Sequence, residues 1–134
     1  VDDPSLIETG IPMPDATNDL PFIIQPIQGV TIVQFREASL MDPVVLARTG
    51  ERLNALIDLE HQKKIILDFE IVEYMASQAI GIVLTLHKKS AGIKGQLVVC
   101  GCGKRLQELM KITRLDKVLN LKHSQAEALK HLTL

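Results

Sequence analysis

The sequence predicts an α/β domain: one mixed, mainly parallel β-sheet with an N-terminal hairpin and about four packed α-helices. Two observations predict it. Short runs of β-branched residues alternate with longer segments in which apolar residues recur every three or four positions. The chain has 134 residues and is 46% hydrophobic, enough for one core without disulfides or metal. Strands that alternate with helices favour right-handed crossovers and parallel pairing.

The acidic, proline-rich start of the chain predicts a flexible tail over residues 1 to 21, and the domain is expected to span residues 22 to 134. The chain begins with Val1 rather than Met, so we expect a processed chain or a fragment. Phe22 to Pro26 and Val30 to Phe35 flank a Gln28-Gly29 turn and predict an antiparallel hairpin at the sheet edge.

A first helix is predicted from residue 43 to residue 58, because Asp42 fits an N-cap and Pro43 fits the first helical position. Its predicted inner face is apolar and consists of Val44, Leu46, Ala47, Leu53, Leu56 and Ile57. Ile65 to Leu67, closed by Asp68, then predict a strand buried on both faces.

Ser77 is predicted to cap a second helix that continues through the apolar run Ala79 to Leu84. A further strand (Gln96 to Cys100), a third helix (Lys104 to Ile112) and a short strand (Val118 to Leu121) follow. Ser124 and Glu127 fit a capping box at the start of a last helix.

Composition excludes several classes of function. The net charge of −1 and the 3% aromatic content give no footprint for nucleic acid. No apolar run approaches the roughly 18–20 residues of a membrane span and no signal peptide is visible, so we expect a soluble, cytoplasmic protein. Cys100 and Cys102 lack further ligands at metal-binding spacing, so neither a metal nor a cofactor is expected.

Three motifs each allow two interpretations. The Gly101–Lys104 turn follows a strand but lacks the spacing of a phosphate loop, so an ordinary turn is favoured. Asp68 sits where α/β proteins place ligand groups; because no nucleophile and base can be assembled around it, it is expected to bind loop amides. The chain is therefore not expected to be an enzyme.

The excess apolar surface of the second helix either binds a partner or packs against the third helix.

The element order and the central stretch resemble the STAS domain, the fold of anti-sigma factor antagonists. The resemblance covers about residues 22 to 132. The residues that carry it are Ile65 to Asp68, Val72, Tyr74, Met75, Ser77, Ile80 to Leu84, Leu97 to Val99, Leu106 to Leu109, Leu115, Ser124 and Glu127 to Leu129.

The resemblance implies partner switching. The unmodified protein binds a kinase-type anti-sigma factor, phosphorylation of a serine at the start of the second helix releases it, and a phosphatase resets the switch. Ser77 falls at the phosphoacceptor position, although the family pattern Asp-Ser-Ser-Gly reads Ala76-Ser77-Gln78-Ala79 here. The partner surface is predicted to include Glu73, Tyr74, Met75, Ala76, Gln78, Ala79 and Ile82. The alternatives are a helix-capping role for Ser77, and a non-switching scaffold or small-ligand sensor module in a bacterial signalling complex.

Overall fold

The computed structural model describes residues 20–133, and the predicted tail falls almost entirely outside that range. The strands are β1 (Phe22–Ile27), β2 (Val30–Phe35), β3 (Ser39–Leu40), β4 (Lys64–Asp68), β5 (Tyr74–Met75), β6 (Gln96–Cys100) and β7 (Asn120–Lys122). The helices are α1 (Pro43–Asp58), α2 (Ser77–Gly92), α3 (Lys104–Ile112) and α4 (Gln125–Thr133), with a 3-10 turn at Leu115–Lys117.

Five strands form the main sheet in the order β1-β2-β4-β6-β7. β1 and β2 pair antiparallel, and the other neighbours pair parallel, which confirms the predicted mixed sheet with an edge hairpin. The edge tolerates Pro26, which has no amide hydrogen for a ladder. The ladder extends one residue beyond β1, because the Pro21 carbonyl accepts the Arg36 amide at 2.7 Å.

The sheet separates two hydrophobic cores. Ile65 and Leu67 of β4 point into the larger core, which also receives the buried residues of α1, α2 and α3. Ile66 points to the opposite face and packs with Ala128 and Leu132 of α4. The prediction of a β4 strand buried on both faces is therefore confirmed, and α4 alone covers the second face among the described helices.

The inner face of α1 is shifted from the predicted one. Leu46, Leu53, Leu56 and Ile57 are buried as expected, and Thr49 and Gly50 join them. Val44 is 69% exposed and Ala47 is also exposed, so assigning those two residues to the core was wrong. A Cβ at Gly50 would lie 3.3 Å from the Ile82 side chain, so this glycine lets α2 pack closely against α1.

Two further differences concern short strands. The strand predicted at Val118 to Leu121 is observed at Asn120–Lys122, because Val118 donates to the Leu115 carbonyl and ends the 3-10 turn instead. The two-residue strands β3 and β5 were not predicted. They pair parallel in a small second sheet, with Ser39 opposite Tyr74 and Leu40 opposite Met75.

Candidate functional site

Strands of both sheets position the start of α2. β4 ends at Asp68 in the main sheet, and the chain then crosses to β5, where pairing with β3 holds Tyr74 and Met75. The Ala76 amide donates to the Leu40 carbonyl at 3.0 Å, which extends this pairing to the residue before the helix. The backbone on both sides of Ser77 is therefore held in place.

Ser77 is the first residue of α2 and not its N-cap, so that prediction was wrong. Ala76 takes the N-cap position in extended conformation, and its carbonyl accepts the amides of Ala79 and Ile80 at 2.9 and 3.2 Å. The helix start has no side-chain cap. The Ser77 side chain is exposed and makes no hydrogen bond to any described residue. Its hydroxyl is therefore accessible to another protein.

The start of α1 lies beside the start of α2. Gln78 Nε2 donates to the Pro43 carbonyl at 3.2 Å. Asp42 caps α1, and its Oδ1 accepts the Val44 and Val45 amides at 2.9 and 3.4 Å. Two helix N-termini thus occupy the same edge of the molecule.

The seven predicted partner residues divide by exposure. Glu73, Tyr74 and Gln78 are exposed, whereas Met75, Ala76 and Ile82 are half-buried against the larger core. Ala79 is only 4% exposed and packs into that core. The half-buried residues and Ala79 thus have less side-chain surface to offer a partner than the exposed three.

Two exposed apolar residues next to this site were missed by the sequence prediction. Met41 follows Leu40, whose carbonyl is bonded to Ala76, and it is 53% exposed. Val44 follows Pro43, which contacts Gln78. Both residues flank the predicted start of α1, so the sequence could have suggested that they are exposed. Their proximity to the start of α2 depends on the β3–β5 pairing, which the sequence did not predict.

Tyr74, just before α2, contacts α3. The Arg105 guanidinium lies 4.7 Å from the centre of the Tyr74 ring, a cation–π geometry. The ring remains 45% exposed. The Arg105 contact therefore holds an exposed aromatic ring near Ser77. Tyrosine is one of the residue types enriched at protein interfaces.

Asp68 is the last residue of β4, and its carboxylate has a structural role. Its Oδ1 accepts the Glu70 amide at 2.9 Å, which confirms the predicted bond to the loop. Its Oδ2 accepts a hydrogen bond from Gln125 Nε2 at 2.9 Å, a partner that the sequence analysis did not predict. Both oxygens are thus used in holding the loop and α4.

The two cysteines are free thiols and lie in different environments. Cys100 belongs to the core beneath α4, whereas Cys102 packs against the larger core on the other face. Burial, followed by the nearby Asp68 carboxylate, raises the pKa of Cys100 to about 12 and that of Cys102 to about 11. Both thiols are therefore protonated, and poor nucleophiles, at neutral pH.

Within residues 20–133, no group of three or more His, Cys, Asp or Glu side chains is arranged to hold a metal ion. None of the helices in that range has the length and apolar character that crossing a membrane requires.

The fold has well-matched relatives among solved structures. A Thermotoga maritima protein assigned as an anti-sigma factor antagonist aligns with a TM-score of 0.73 at 14% identity, covering 88% of this chain and 99% of that one. An anti-sigma factor antagonist from Mycobacterium paratuberculosis gives 0.72 at 20% identity, with 83% and 92% covered. The Bacillus cell fate determinant SpoIIAA in its phosphorylated form gives 0.66 at 15% identity, with 82% and 97% covered.

These TM-scores establish a shared fold. Sequence comparison gives the family, because the STAS domain family model matches residues 23–128, most of the chain. The match includes the strands of the main sheet from Ile23 onward, the β3–β5 pair and the start of α2 with Ser77. The chain therefore belongs to the STAS domain family.

Proposed function

We propose that this chain is an anti-sigma factor antagonist that works by partner switching, with Ser77 as its phosphoacceptor. The observation that carries the proposal is the exposed, unbonded Ser77 hydroxyl at the first position of α2, beside a surface of exposed apolar side chains. The partner is a kinase-type anti-sigma factor, and a phosphatase restores the unmodified serine.

The helix start favours a phosphate on electrostatic grounds. Neither the Ser77 nor the Gln78 amide has an acceptor among the described residues. Amides at a helix N-terminus, together with the helix dipole, stabilise negative charge. A phosphate on Ser77 therefore leaves the fold intact.

The same phosphate opposes partner binding. It adds about −1.5 to −2 charges at neutral pH. Glu73 is exposed in the loop before the helix, so the modified surface becomes strongly acidic. A partner that covers Tyr74, Met41 and Val44 with apolar groups would have to bury that charge, which is costly without a matching cation. Release upon phosphorylation follows from this cost.

The departure from the family pattern affects recognition by the kinase. Ala76 supplies no carboxylate before the acceptor, and Ala79 replaces a glycine. Ala79 adopts helical geometry and is buried, so it fits this turn without strain. We infer that the cognate kinase recognises the shape and the apolar surroundings of Ser77 rather than an acidic side chain next to it.

The proposal is tested by affinity capture from the native cell extract with wild type, Ser77→Ala and Ser77→Asp, followed by mass spectrometry of the captured proteins and of Ser77. Thr85→Asp is the matched control, because Thr85 is exposed on the same helix and the variant carries the same charge. A kinase-fold protein retained by wild type, Ser77→Ala and Thr85→Asp, lost with Ser77→Asp, and able to phosphorylate Ser77 supports switching.

If all four proteins retain the same partners and Ser77 is never modified, switching is wrong. The chain would then be a non-switching STAS scaffold.

A further inference from the structure

We propose that the cleft between α3 and the end of β7 is a binding site for a small anionic metabolite that carries a carboxylate or phosphate group. This site is separate from the Ser77 surface and goes beyond the proposed function. The cleft has a volume of about 250 Å³ and is lined by Cys102, Gln107, Lys111, Asp116, Leu121, Lys122 and His123.

The cleft lies at the carboxyl ends of parallel strands. β6 and β7 pair parallel, with Cys100 opposite Lys122, and the Gly101 amide donates to the Lys122 carbonyl at 3.4 Å. The two strands therefore end side by side, where open α/β sheets bind their ligands. Lys122 and His123 leave the sheet at this edge.

Helix α3 forms the opposite wall. Gln107 and Lys111 are four residues apart and therefore share one face of the helix. Gln107 Nε2 donates to the Cys102 carbonyl at 2.9 Å, which ties the helix to the strand end. The wall that presents Lys111 is thus held against the end of β6.

The side chains that line the cleft carry a net positive charge. Lys111 and Lys122 are the two lining lysines and Asp116 is the lining carboxylate, and neither lysine forms an ion pair with a described residue. By contrast, Lys89 elsewhere on the surface is paired with Asp58. The Asp68 and Glu127 carboxylates lie next to the lining residues Cys102 and His123, respectively. Two lysines against one carboxylate in a concave site leave an excess positive charge, which attracts an anion by simple Coulomb forces.

The remaining lining residues are compatible with an anion. Leu121 is half-buried and gives the cleft an apolar floor. The raised pKa of Cys102 keeps its thiol neutral, so it adds no repulsion. The volume lies below the ~300–1,000 Å³ usual for drug-sized ligands. Together with the lack of Phe, Tyr and Trp in the lining, it favours a small metabolite over a nucleotide.

The test is a titration of the ¹⁵N-labelled chain with inorganic phosphate and with malonate, read out as amide chemical-shift changes at constant ionic strength. Malonamide, which has malonate's shape without its charges, is the neutral control. We expect saturable shifts confined to the cleft residues with phosphate, with malonate or with both, and none with malonamide. The stronger of the two anions identifies the ligand group.

Three variants distinguish specific binding in the cleft from nonspecific electrostatic attraction of anions to the protein. Lys111→Gln combined with Lys122→Gln should weaken binding roughly 25-fold, taking about fivefold for each charge. Lys88→Gln, an exposed lysine on α2, should leave it unchanged. Asp116→Asn should strengthen binding about fivefold, a gain that misfolding cannot produce.

Shifts that grow linearly without saturation, or that chloride reproduces, would overturn the proposal. Equal binding by Lys88→Gln and the double variant would do the same. Because no partner protein is involved, these outcomes are independent of whether Ser77 switches.

Discussion

Gln125 Nε2 donates to Asp68 Oδ2 at 2.9 Å, joining residues that are 57 positions apart in the sequence. Asp68 ends β4 in the middle of the main sheet, and Gln125 begins α4 on the face opposite α1. Because Asp68 Oδ1 also holds the Glu70 amide, one carboxylate fixes both the last helix and the start of the loop that leads to Ser77.

Gln125→Ala should therefore destabilise the protein. Asp68 is 4% exposed, so the loss of Gln125 leaves a buried carboxylate oxygen without a partner. The expected cost is about 1–3 kcal/mol in the free energy of unfolding, measured by urea denaturation. Lys130→Ala is the control on the same helix, since Lys130 is exposed, and it should change stability by less than about 0.5 kcal/mol. Equal stability of the two variants would show that water replaces the amide.

Gly101→Ala should be more harmful than a change at any exposed glycine. Gly101 has a φ of +76°, and an added Cβ would lie 2.9 Å from Asp68 Oδ1 and 3.0 Å from the Glu70 amide nitrogen. Left-handed backbone alone costs an L-residue about 1–2 kcal/mol, and this contact with backbone adds to it.

The matched control for that variant is Gly81→Ala in α2, where a Cβ meets nothing within 4 Å. That change should stabilise the protein by about 0.5–1 kcal/mol, because glycine is a poor residue in a helix interior. Thermal melting of both variants measures the difference. A Gly101→Ala protein as stable as wild type would mean that the turn after β6 can rearrange.

The raised pKa of Cys100 predicts a loss of stability in alkali. The thiol stays protonated in the folded protein up to a pH of about 12, whereas an unfolded cysteine ionises near its ordinary value of 9.0. Stability from this group is therefore fully present below pH 9 and falls as the pH rises towards 12. The slope is about 1.4 kcal/mol per pH unit in that window.

The measurement is the free energy of unfolding in guanidinium chloride between pH 7 and 10.5, with reductant present. Cys100→Ala removes this titration, so its stability should fall less steeply than that of wild type above pH 9. Parallel curves for the two proteins would contradict a raised pKa at this position.

The sequence predicted those features that depend on local pattern. The Asp42-Pro43 signal placed the start of α1, and the Ser124 and Glu127 spacing placed the start of α4: Ser124 Oγ accepts the Glu127 amide, and Glu127 Oε1 accepts the His123 amide. Caps and apolar periodicity act within a few residues, so they can be read from the chain.

Features that depend on distant segments could not be predicted in this way. The β3–β5 pair has only two residues in each strand, too few for a period of two to appear. Ser77 fits the composition of an N-cap, but pairing with Leu40 extends the chain through Ala76, and Ala76 became the cap instead. Val44 matched the apolar period of α1, yet it lies in the first turn of the helix and is 69% exposed. Its exposure is the reason that it belongs to the candidate partner surface.

Val44→Glu should weaken binding of the proposed partner while leaving the fold intact. Val44 is 69% exposed, and a carboxylate in the first turn of α1 interacts favourably with the helix dipole. The partner would have to desolvate that charge next to Pro43, whose carbonyl binds Gln78, so affinity should fall by at least about tenfold. Ile112→Glu is the matched control, because Ile112 is 80% exposed at the far end of α3. Titration calorimetry with the captured kinase should find Ile112→Glu unchanged, and equal losses in the two variants would place the interface elsewhere.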